Sequence, residues 1–336
     1  IFSWCRLRNV RKSVDFPTIV FLAHYLMFPD NRIHLHGIIF PLFFTGLPSM
    51  IYSWSLRDWA IFQEITEKAS AIILILGSIL AALIFRGSVS FGTYSMSFSY
   101  YMLLPAIIYL NKLFNKPSLK FFSLTALAAV IILSLGARGP FLALAGFSIL
   151  KLFQTRGNLT AKQLLGRVLL ILLGIVAIVY FQELLTLIAD ILADFGIRSR
   201  SINLFLRSGV HMSGRDSIYQ RALKALVDSP ILGLGLAGDR LLVGGSYVHN
   251  LFLEILLHFG IIVGSFCLGL FFLLIINILV KGNDLEYELA AIWFGLGFMP
   301  LMVSHTYLTA INFWILAGLL LGAPSKCGRN RKGTLP

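Results

Sequence analysis

The chain consists of long apolar runs separated by short polar segments. The runs are roughly 17 to 25 residues long and carry few charges, which is the length that an α-helix needs to cross a bilayer. They lack the alternating pattern of strands in a membrane β-barrel. The pattern therefore predicts an all-α, polytopic transmembrane helix bundle of about ten spans. These spans cover residues 17–29, 36–55, 70–86, 97–111, 119–136, 139–153, 165–181, 259–280, 287–304 and 307–323.

One long polar-rich segment, residues 182–258, interrupts this pattern. Its apolar run from Leu184 to Leu192 is too short to span a membrane and predicts a helix at the interface. A second helix is expected to follow Ser213, where apolar residues recur at helical spacing, and to end at Ser229-Pro230. The chain thus divides into a bundle at 1–181, a polar loop with short helices at 182–258, and helices with a basic tail at 259–336.

Composition agrees with a membrane protein. Hydrophobic residues make up 57% of the chain, charged residues make up 13%, and the mean hydropathy is +0.84. In a membrane protein, a net charge of +13 mainly reflects the excess of Lys and Arg in cytoplasmic loops. We therefore do not expect nucleic-acid binding. Because the sequence opens Ile1-Phe2 without an initiator Met or a signal-peptide pattern, we expect that further N-terminal spans precede it.

The distribution of basic residues predicts which side of the membrane each loop faces. Lys and Arg cluster before the first span, between spans four and five, between spans six and seven, and in the C-terminal tail. With ten spans all these clusters fall on one side, which is then cytoplasmic. A loop at Leu56 to Ala69 is expected on that side. The 182–258 loop and the hairpin that carries Arg138 are expected on the opposite, external side.

Two arginines on the external side are candidates for binding an anion. Arg138 lies in a glycine-flanked break between two predicted helices, where an arginine either snorkels to the interface or meets an anion. Arg215 lies in the first turn of the loop helix, whose dipole and free amides favour anions, and a planar guanidinium suits a pyrophosphate. A solvated charge on the helix face is the plain alternative for Arg215. Arg221 and Arg240 are weaker candidates for the same role.

His249 and Asn250 end the polar loop where it enters the next apolar helix. A neutral imidazole at this position could take a proton from a sugar hydroxyl, since its ordinary pKa is near 6.5. A structural histidine at the interface is the alternative. Asn250, Glu254 and His258 follow each other at i, i+4 spacing, which is also the pattern of the polar face of a helix.

The sequence predicts neither a metal site nor a cofactor site. The glycines from Gly233 to Gly238 have the spacing of a dinucleotide-binding motif, but the sequence predicts no βαβ unit around them. The cysteines are too dispersed along the chain for a disulfide or a thiolate metal site. The acidic residues of the loop are scattered and form no glycosidase-type carboxylate pair. Histidines that lack an accompanying acidic cluster, and so predict no metal, are His34, His36, His211 and His305.

The motifs of the loop together resemble those of the O-antigen ligase and O-antigen polymerase superfamily of bacterial membrane proteins. They read Gly214-Arg215-x-x-x-Tyr219-x-x-Ala222-Leu223, Ser229-Pro230-Ile231-Leu232-Gly233-x-Gly235, His249-Asn250-x-x-Leu253, and Phe259-Gly260-Ile261-Ile262-x-Gly264. Upstream, Leu133-Ser134-x-x-Ala137-Arg138-Gly139 resembles the Arg-Gly hairpin of that family. The chain departs from the family pattern at Tyr219, where Trp is usual, and at His258, where an acidic residue is common.

The resemblance implies an inverting, metal-independent glycosyl transfer from an undecaprenyl-pyrophosphate-linked glycan. The acceptor would be a lipid A-core or a growing glycan, so the chain would be either a ligase or a polymerase. Arg138 and Arg215 would bind the donor pyrophosphate, His249 would activate the acceptor, and Tyr219, Asn250 and Arg221 would contact substrate. A transporter or flippase of lipid-linked sugars is the alternative from another class; it predicts charges and broken helices near the middle of the membrane.

Overall fold

The computed structural model describes residues 4–56, 58–85, 96–134, 139–154, 161, 164–168, 172, 180–194, 196, 206 and 215–322. Every regular element in these ranges is a helix, and none of the residues described is in a β-strand. The all-α prediction is therefore confirmed for this part of the chain.

The helices follow one another closely along the chain. A 3₁₀ turn at Pro29–Asn31 and a π-helical stretch at Phe40–Gly46 flank the helix at Arg32–Ile39, and a second π-helical stretch at Phe294–Phe298 follows the helix at Asp284–Trp293. The α-helices are α1 (Trp4–Met27), α2 (Arg32–Ile39), α3 (Leu47–Ser55), α4 (Trp59–Phe85), α5 (Met96–Tyr101), α6 (Leu103–Asn115), α7 (Leu119–Ser134), α8 (Gly139–Leu152), α9 (Phe181–Asp194), α10 (Arg215–Asp228), α11 (Asp239–Leu242), α12 (Leu251–Lys281), α13 (Asp284–Trp293) and α14 (Ile311–Gly322).

Three helical runs in the described residues are long and apolar enough to cross a membrane: Pro29–Ser55, Trp59–Leu83 and Leu251–Lys281. Shorter apolar helices lie at Leu119–Leu133, Gly139–Leu152 and Ile311–Gly322. The chain is thus a helical membrane protein. The number of ten spans is not confirmed and stays a prediction; the predicted span 165–181 lies largely outside the described residues.

The loop predicted from Leu56 to Ala69 is wrong, because α4 already begins at Trp59. The charged residues that suggested a loop lie on the helix instead. Glu64 and Lys68 form an i, i+4 ion pair at 2.7 Å, and Glu67 pairs with Lys112 at 2.7 Å. Such pairs are compatible with a helix that continues beyond its apolar part.

The residue contacts divide the chain into two compact units. The first consists of residues 1–59, 214–293 and 301–336, and the second of residues 60–213 and 294–300. A buried cluster of Leu74, Met102, Ala106 and Ile132 forms part of the core of the second unit. The three-part organisation expected from hydropathy stays a prediction.

In the first unit, α3 packs closely against α14. A Cβ atom on Gly318 would overlap the Ser53 hydroxyl and the Met50 carbonyl, and one on Gly46 would overlap the Trp314 ring. Small residues that allow backbones to approach are the usual means of packing membrane helices. This contact fixes the position of α14 and of the segment that precedes it.

Helix α12 is broken at Gly260, whose φ of 75° and ψ of 173° are not helical. The break frees backbone groups, and the turn after α10 satisfies two of them. Leu234 N donates to Leu257 O at 2.6 Å, and Ile261 N donates to Pro230 O at 2.7 Å. Because unpaired backbone groups cost free energy in a membrane, these two hydrogen bonds stabilise the contact between the glycine-rich turn and α12. The helix that contains the eighth predicted span, residues 259–280, thus begins upstream at Leu251, and its break at Gly260 lies at the predicted start of the span.

The glycine-rich turn also binds the first helices of the chain. Asn31 donates from Nδ2 to Leu234 O at 2.8 Å and to Leu236 O at 3.1 Å, and Leu236 N donates to His24 Nδ1 at 2.9 Å. Gly235 has a φ of 78° and lies against the Phe28 ring. These glycines are structural, as the sequence predicted.

We expect Gly260→Ala to destabilise the protein by on the order of 3 kcal/mol. The new Cβ would overlap the Ile231 carbonyl oxygen, and the left-handed φ is unfavourable for any L side chain. Thermal unfolding in detergent measures the change. Gly269→Ala in the same helix is the control, because a Cβ there meets nothing within 4 Å. Equal stability of the two variants would show that the break does not depend on Gly260.

Candidate active site

Helix α10 presents Arg215 in its first turn and is held against α12 by apolar contacts. Ala222 and Leu226 are buried with Val248 and Leu257, and the Tyr219 ring packs against this cluster. The helix ends at Asp228, and Ser229 N bonds to Ala225 O at 3.0 Å, as the Ser-Pro sequence predicted. Ser213, after which the sequence predicts this helix to begin, lies outside the described residues.

His249 immediately precedes the N-cap of α12. Asn250 is the N-cap, and its Oδ1 accepts a hydrogen bond from Leu253 N at 3.2 Å. His249 itself has a φ of 57°, a left-handed conformation that is uncommon for a side chain other than glycine. Its ring lies against Tyr247, with 4.3 Å between the centroids. Its Nδ1 atom is buried and has no hydrogen-bond partner among the described residues.

The Arg215 guanidinium lies near enough to His249 to affect the pKa of its imidazole. Burial lowers the pKa of His249, and the Arg215 guanidinium lowers it further, while Asp239 opposes both effects. Burial raises the pKa of Tyr247, and Arg215 is one of the charges that oppose this shift. Because the pKa of His249 is below 6.5, the imidazole is neutral at neutral pH and can accept a proton.

A buried polar network lies behind His249. Arg240, on the short helix α11, is only 5% exposed; its Nη1 donates to Asp239 Oδ1 at 2.5 Å and to Glu254 Oε1 at 3.4 Å. Its Nη2 donates to Thr306 Oγ1 at 3.1 Å, and the Thr306 hydroxyl donates to Glu254. The network therefore joins α11, α12 and the segment before α14.

His258 completes this network from the next turn of α12. Its Nε2 bonds with Asp239 Oδ1 at 2.9 Å, and its Nδ1 bonds with the Tyr307 hydroxyl at 2.8 Å. Burial raises the pKa of Asp239, but the charges and hydrogen bonds of His258 and Arg240 outweigh burial and lower that pKa to about 2. Asp239 is thus a buried, ionised carboxylate whose charge is balanced by its neighbours.

The acidic residues are less scattered than the sequence suggested. Asp239, Glu254 and His258 are all buried, and one ligand atom of each lies within 4.8 Å of the others. These residues could ligate a cation by their chemistry, but the Arg240 guanidinium already donates to both carboxylates. Glu254 and His258 also show that the i, i+4 stripe on α12 is buried in the protein rather than solvated.

The other site residues that the sequence predicts are Arg221, Tyr219, Asn250 and Arg138. Arg221 donates to Ser217 O at 3.2 Å and to Leu242 O at 2.9 Å, so it links α10 to α11; its substrate role stays a prediction. Tyr219 packs in the core described above, and Asn250 caps α12. Arg138 lies outside the described residues, and its contribution also stays a prediction.

Sequence reasoning missed the partners Asp239, Thr306 and Tyr307. Glu254 and His258 carried a usable signal, because ionisable residues inside an apolar membrane helix usually have a function or a partner. No comparable signal identified Asp239, since its partners Val248 and His258 become its neighbours only in the fold.

An apolar cavity of about 460 Å³ lies beside the network in the first unit. Leu236, Phe259 and Tyr307 line it, together with Leu308 and Trp314. Phe259 and Tyr307 each contact the His258 ring, at 6.4 and 5.6 Å between centroids. The cavity thus adjoins the polar network.

We expect Arg240→Ala to lower the free energy of unfolding by about 3–5 kcal/mol, because it leaves the ionised Asp239 buried without its counter-charge and removes a buried hydrogen bond to Glu254. Thermal or denaturant unfolding of the purified protein measures this. Lys224→Ala, which changes an exposed side chain of α10, should cost less than about 1 kcal/mol. An Arg240→Ala variant as stable as wild type would contradict the assigned charge balance.

Comparison with known proteins supports the resemblance seen in the motifs. Residues 123–268 match the family model described as O-Antigen ligase, and this segment contains Arg138, Arg215, the glycine-rich turn, His249 and the break at Gly260. No curated protein and no solved structure matches the chain. Residues 123–268 are therefore similar to the O-antigen ligase family, which supports the resemblance to the O-antigen ligase and polymerase superfamily.

Proposed function

We propose that the protein is an inverting glycosyltransferase that moves a glycan from undecaprenyl pyrophosphate to an acceptor hydroxyl. The observation that carries this proposal is that the Arg215 charge acts on the His249 imidazole, whose Nδ1 is buried and has no hydrogen-bond partner among the described residues, inside the segment that matches the family. The reaction would take place at the outer face of the bacterial inner membrane, where lipid-linked donors are present.

Arg215 is proposed to bind the donor pyrophosphate. When the glycosidic bond breaks, negative charge develops on the leaving pyrophosphate, and a fixed guanidinium at a helix N-terminus stabilises that charge. Its planar donor geometry suits phosphate oxygens better than an ammonium group would. Arg138 is proposed to share this role. Together the two arginines would supply the charge stabilisation for which other transferases use a metal ion.

His249 is proposed to activate the acceptor. Its pKa is lowered by burial and by Arg215, so the neutral form that accepts a proton predominates at neutral pH. The Tyr247 ring and the N-cap at Asn250 restrict how the imidazole can move. The acceptor hydroxyl would lose its proton to His249 as its oxygen attacks the anomeric carbon of the donor.

The apolar cavity beside the network supports a lipid-carried donor. Its lining residues, including Leu236 and Phe259, offer no charge and suit the polyprenyl chain of the carrier. The acceptor is proposed to be a lipid A-core, for a ligase, or a growing glycan, for a polymerase. Deletion separates these cases: loss of a polymerase leaves single repeat units attached, whereas loss of a ligase leaves polymer on the carrier lipid.

A flippase for lipid-linked sugars is the second candidate, because α12 is broken at Gly260 and carries buried ionisable residues. The freed backbone groups, however, bond to Pro230 and Leu234. This arrangement favours a structural break over a transport path. Reconstituted vesicles separate the two functions: a flippase moves the lipid-linked glycan across the bilayer without any acceptor, and the transferase consumes it only when an acceptor is present.

We expect the purified protein to transfer glycan from a defined undecaprenyl-pyrophosphate donor, and to do so equally well with EDTA. Arg215→Ala and His249→Ala should each lower the rate by at least about 100-fold, since each removes a group that acts on the transition state. Arg215→Lys keeps the positive charge but loses the planar pair of donors of the guanidinium, so its transfer rate should fall less than that of the alanine variant.

Lys224→Ala serves as the control for these variants, because it removes a cation from the exposed face of the same helix. Correct folding of each variant is checked by monodispersity in detergent. Full activity in Arg215→Ala would refute the pyrophosphate role, and loss of wild-type activity in EDTA would refute the metal-independent mechanism.

A further inference from the structure

We propose that Asp239 is a positioning residue of the transfer site, and that it fixes both the backbone and the charge environment of His249. This inference rests on the proposed function. The Asp239 side chain is completely buried, so it does not contact substrate itself. It acts on the reaction through the residue that it holds.

The backbone contact is direct. Asp239 Oδ2 accepts a hydrogen bond from Val248 N at 3.1 Å, and Val248 immediately precedes His249. The φ of 57° at His249 is unfavourable for a histidine, so the neighbouring structure must hold the turn in place. A bond from a buried carboxylate to the preceding amide provides this restraint.

The carboxylate that provides the restraint is itself fixed. Its other oxygen, Oδ1, accepts from Arg240 at 2.5 Å and bonds with His258 at 2.9 Å. Arg240 and His258 are anchored in turn by Thr306 and Tyr307. The Asp239 side chain therefore cannot rotate away from Val248 without breaking several buried polar contacts.

The residues that flank Val248 and His249 restrain the same turn. The Tyr247 hydroxyl donates to Ser304 O at 2.5 Å, and Asn250 caps α12. These contacts leave the imidazole with its Nδ1 free of any hydrogen bond among the described residues. The result is a pre-organised imidazole, which is what a general base requires.

Asp239 also contributes charge at His249. Ionisable groups close to the imidazole are Arg215 on α10, Asp239 on α11, the neighbouring Tyr247, and His305 in the segment before α14. Arg215 lowers the pKa of His249, whereas the Asp239 carboxylate raises it. Removing the negative charge of Asp239 should therefore lower the pKa of His249 further.

The test measures transfer as a function of pH for wild type, Asp239→Asn and Asp239→Ala. Transfer requires neutral His249, so the rate falls at acid pH as the imidazole is protonated. This fall in rate at acid pH is the acid limb of the pH profile, and in Asp239→Asn it should lie about half a pH unit lower than in wild type. In the same variant kcat should fall about 10-fold, while KM for the donor stays within twofold. Asp239→Ala, which also loses the bond to Val248, should lose about 100-fold in kcat.

Asp228→Asn is the matched control, because it neutralises an exposed aspartate at the end of α10. Its kcat and its acid limb should equal those of wild type. If Asp239→Asn does not fold, the double variant Asp239→Asn with Arg240→Gln removes both buried charges together and is tested in the same way.

Three outcomes would overturn the inference: a folded Asp239 variant with a wild-type kcat and acid limb, a loss confined to the donor KM, or failure of both the single and the double variant to fold. The last outcome would assign Asp239 to stability alone. Inactivity of the wild-type protein would instead refute the proposed function, so the two failures can be told apart.

Discussion

The described site depends on the contacts of the buried Arg240 guanidinium. It lies among Asp239, Glu254 and Thr306, which belong to the short helix α11, the long helix α12 and the segment before α14. A buried charge of this kind is tolerated only when partners satisfy it, so each of these segments has a defined position relative to the others. Within the first unit, these segments are therefore held together by charge as well as by apolar packing. His249 is connected to this network through Val248, which bonds to Asp239.

The break in α12 imposes a second constraint of the same kind. At Gly260 the helix gives up backbone hydrogen bonds, and the turn from Pro230 to Leu234 replaces them. The glycines whose spacing matches a nucleotide-binding motif instead allow two backbone segments to approach closely. The family motifs thus fall into two kinds. Some hold the loop on the helix, and others, around Arg215 and His249, carry groups that can act on a substrate.

The sequence predicted the helical membrane class, the loop helix with its end at Ser229-Pro230, the structural glycines, and the family that residues 123–268 match. These features depend on local periodicity and short motifs. Hydropathy failed where charges lie on a helix, as at Glu64 and Lys68. It also did not predict that α12 extends upstream of its break at Gly260, because Glu254 and His258 are buried polar residues. The partnership of Asp239 with Val248 and His258 depends on contacts between distant positions, which a single sequence does not reveal.

The central claim is a division of roles between Arg215, which binds the pyrophosphate, and His249, which acts on the acceptor. Binding of undecaprenyl pyrophosphate to the purified protein, without acceptor, tests this claim most directly. The account predicts that Arg215→Ala weakens the affinity at least about 10-fold, since it removes a charge-assisted contact, whereas His249→Ala leaves the affinity within twofold of wild type. Equal affinities in wild type and Arg215→Ala, or a large loss in His249→Ala, would contradict it.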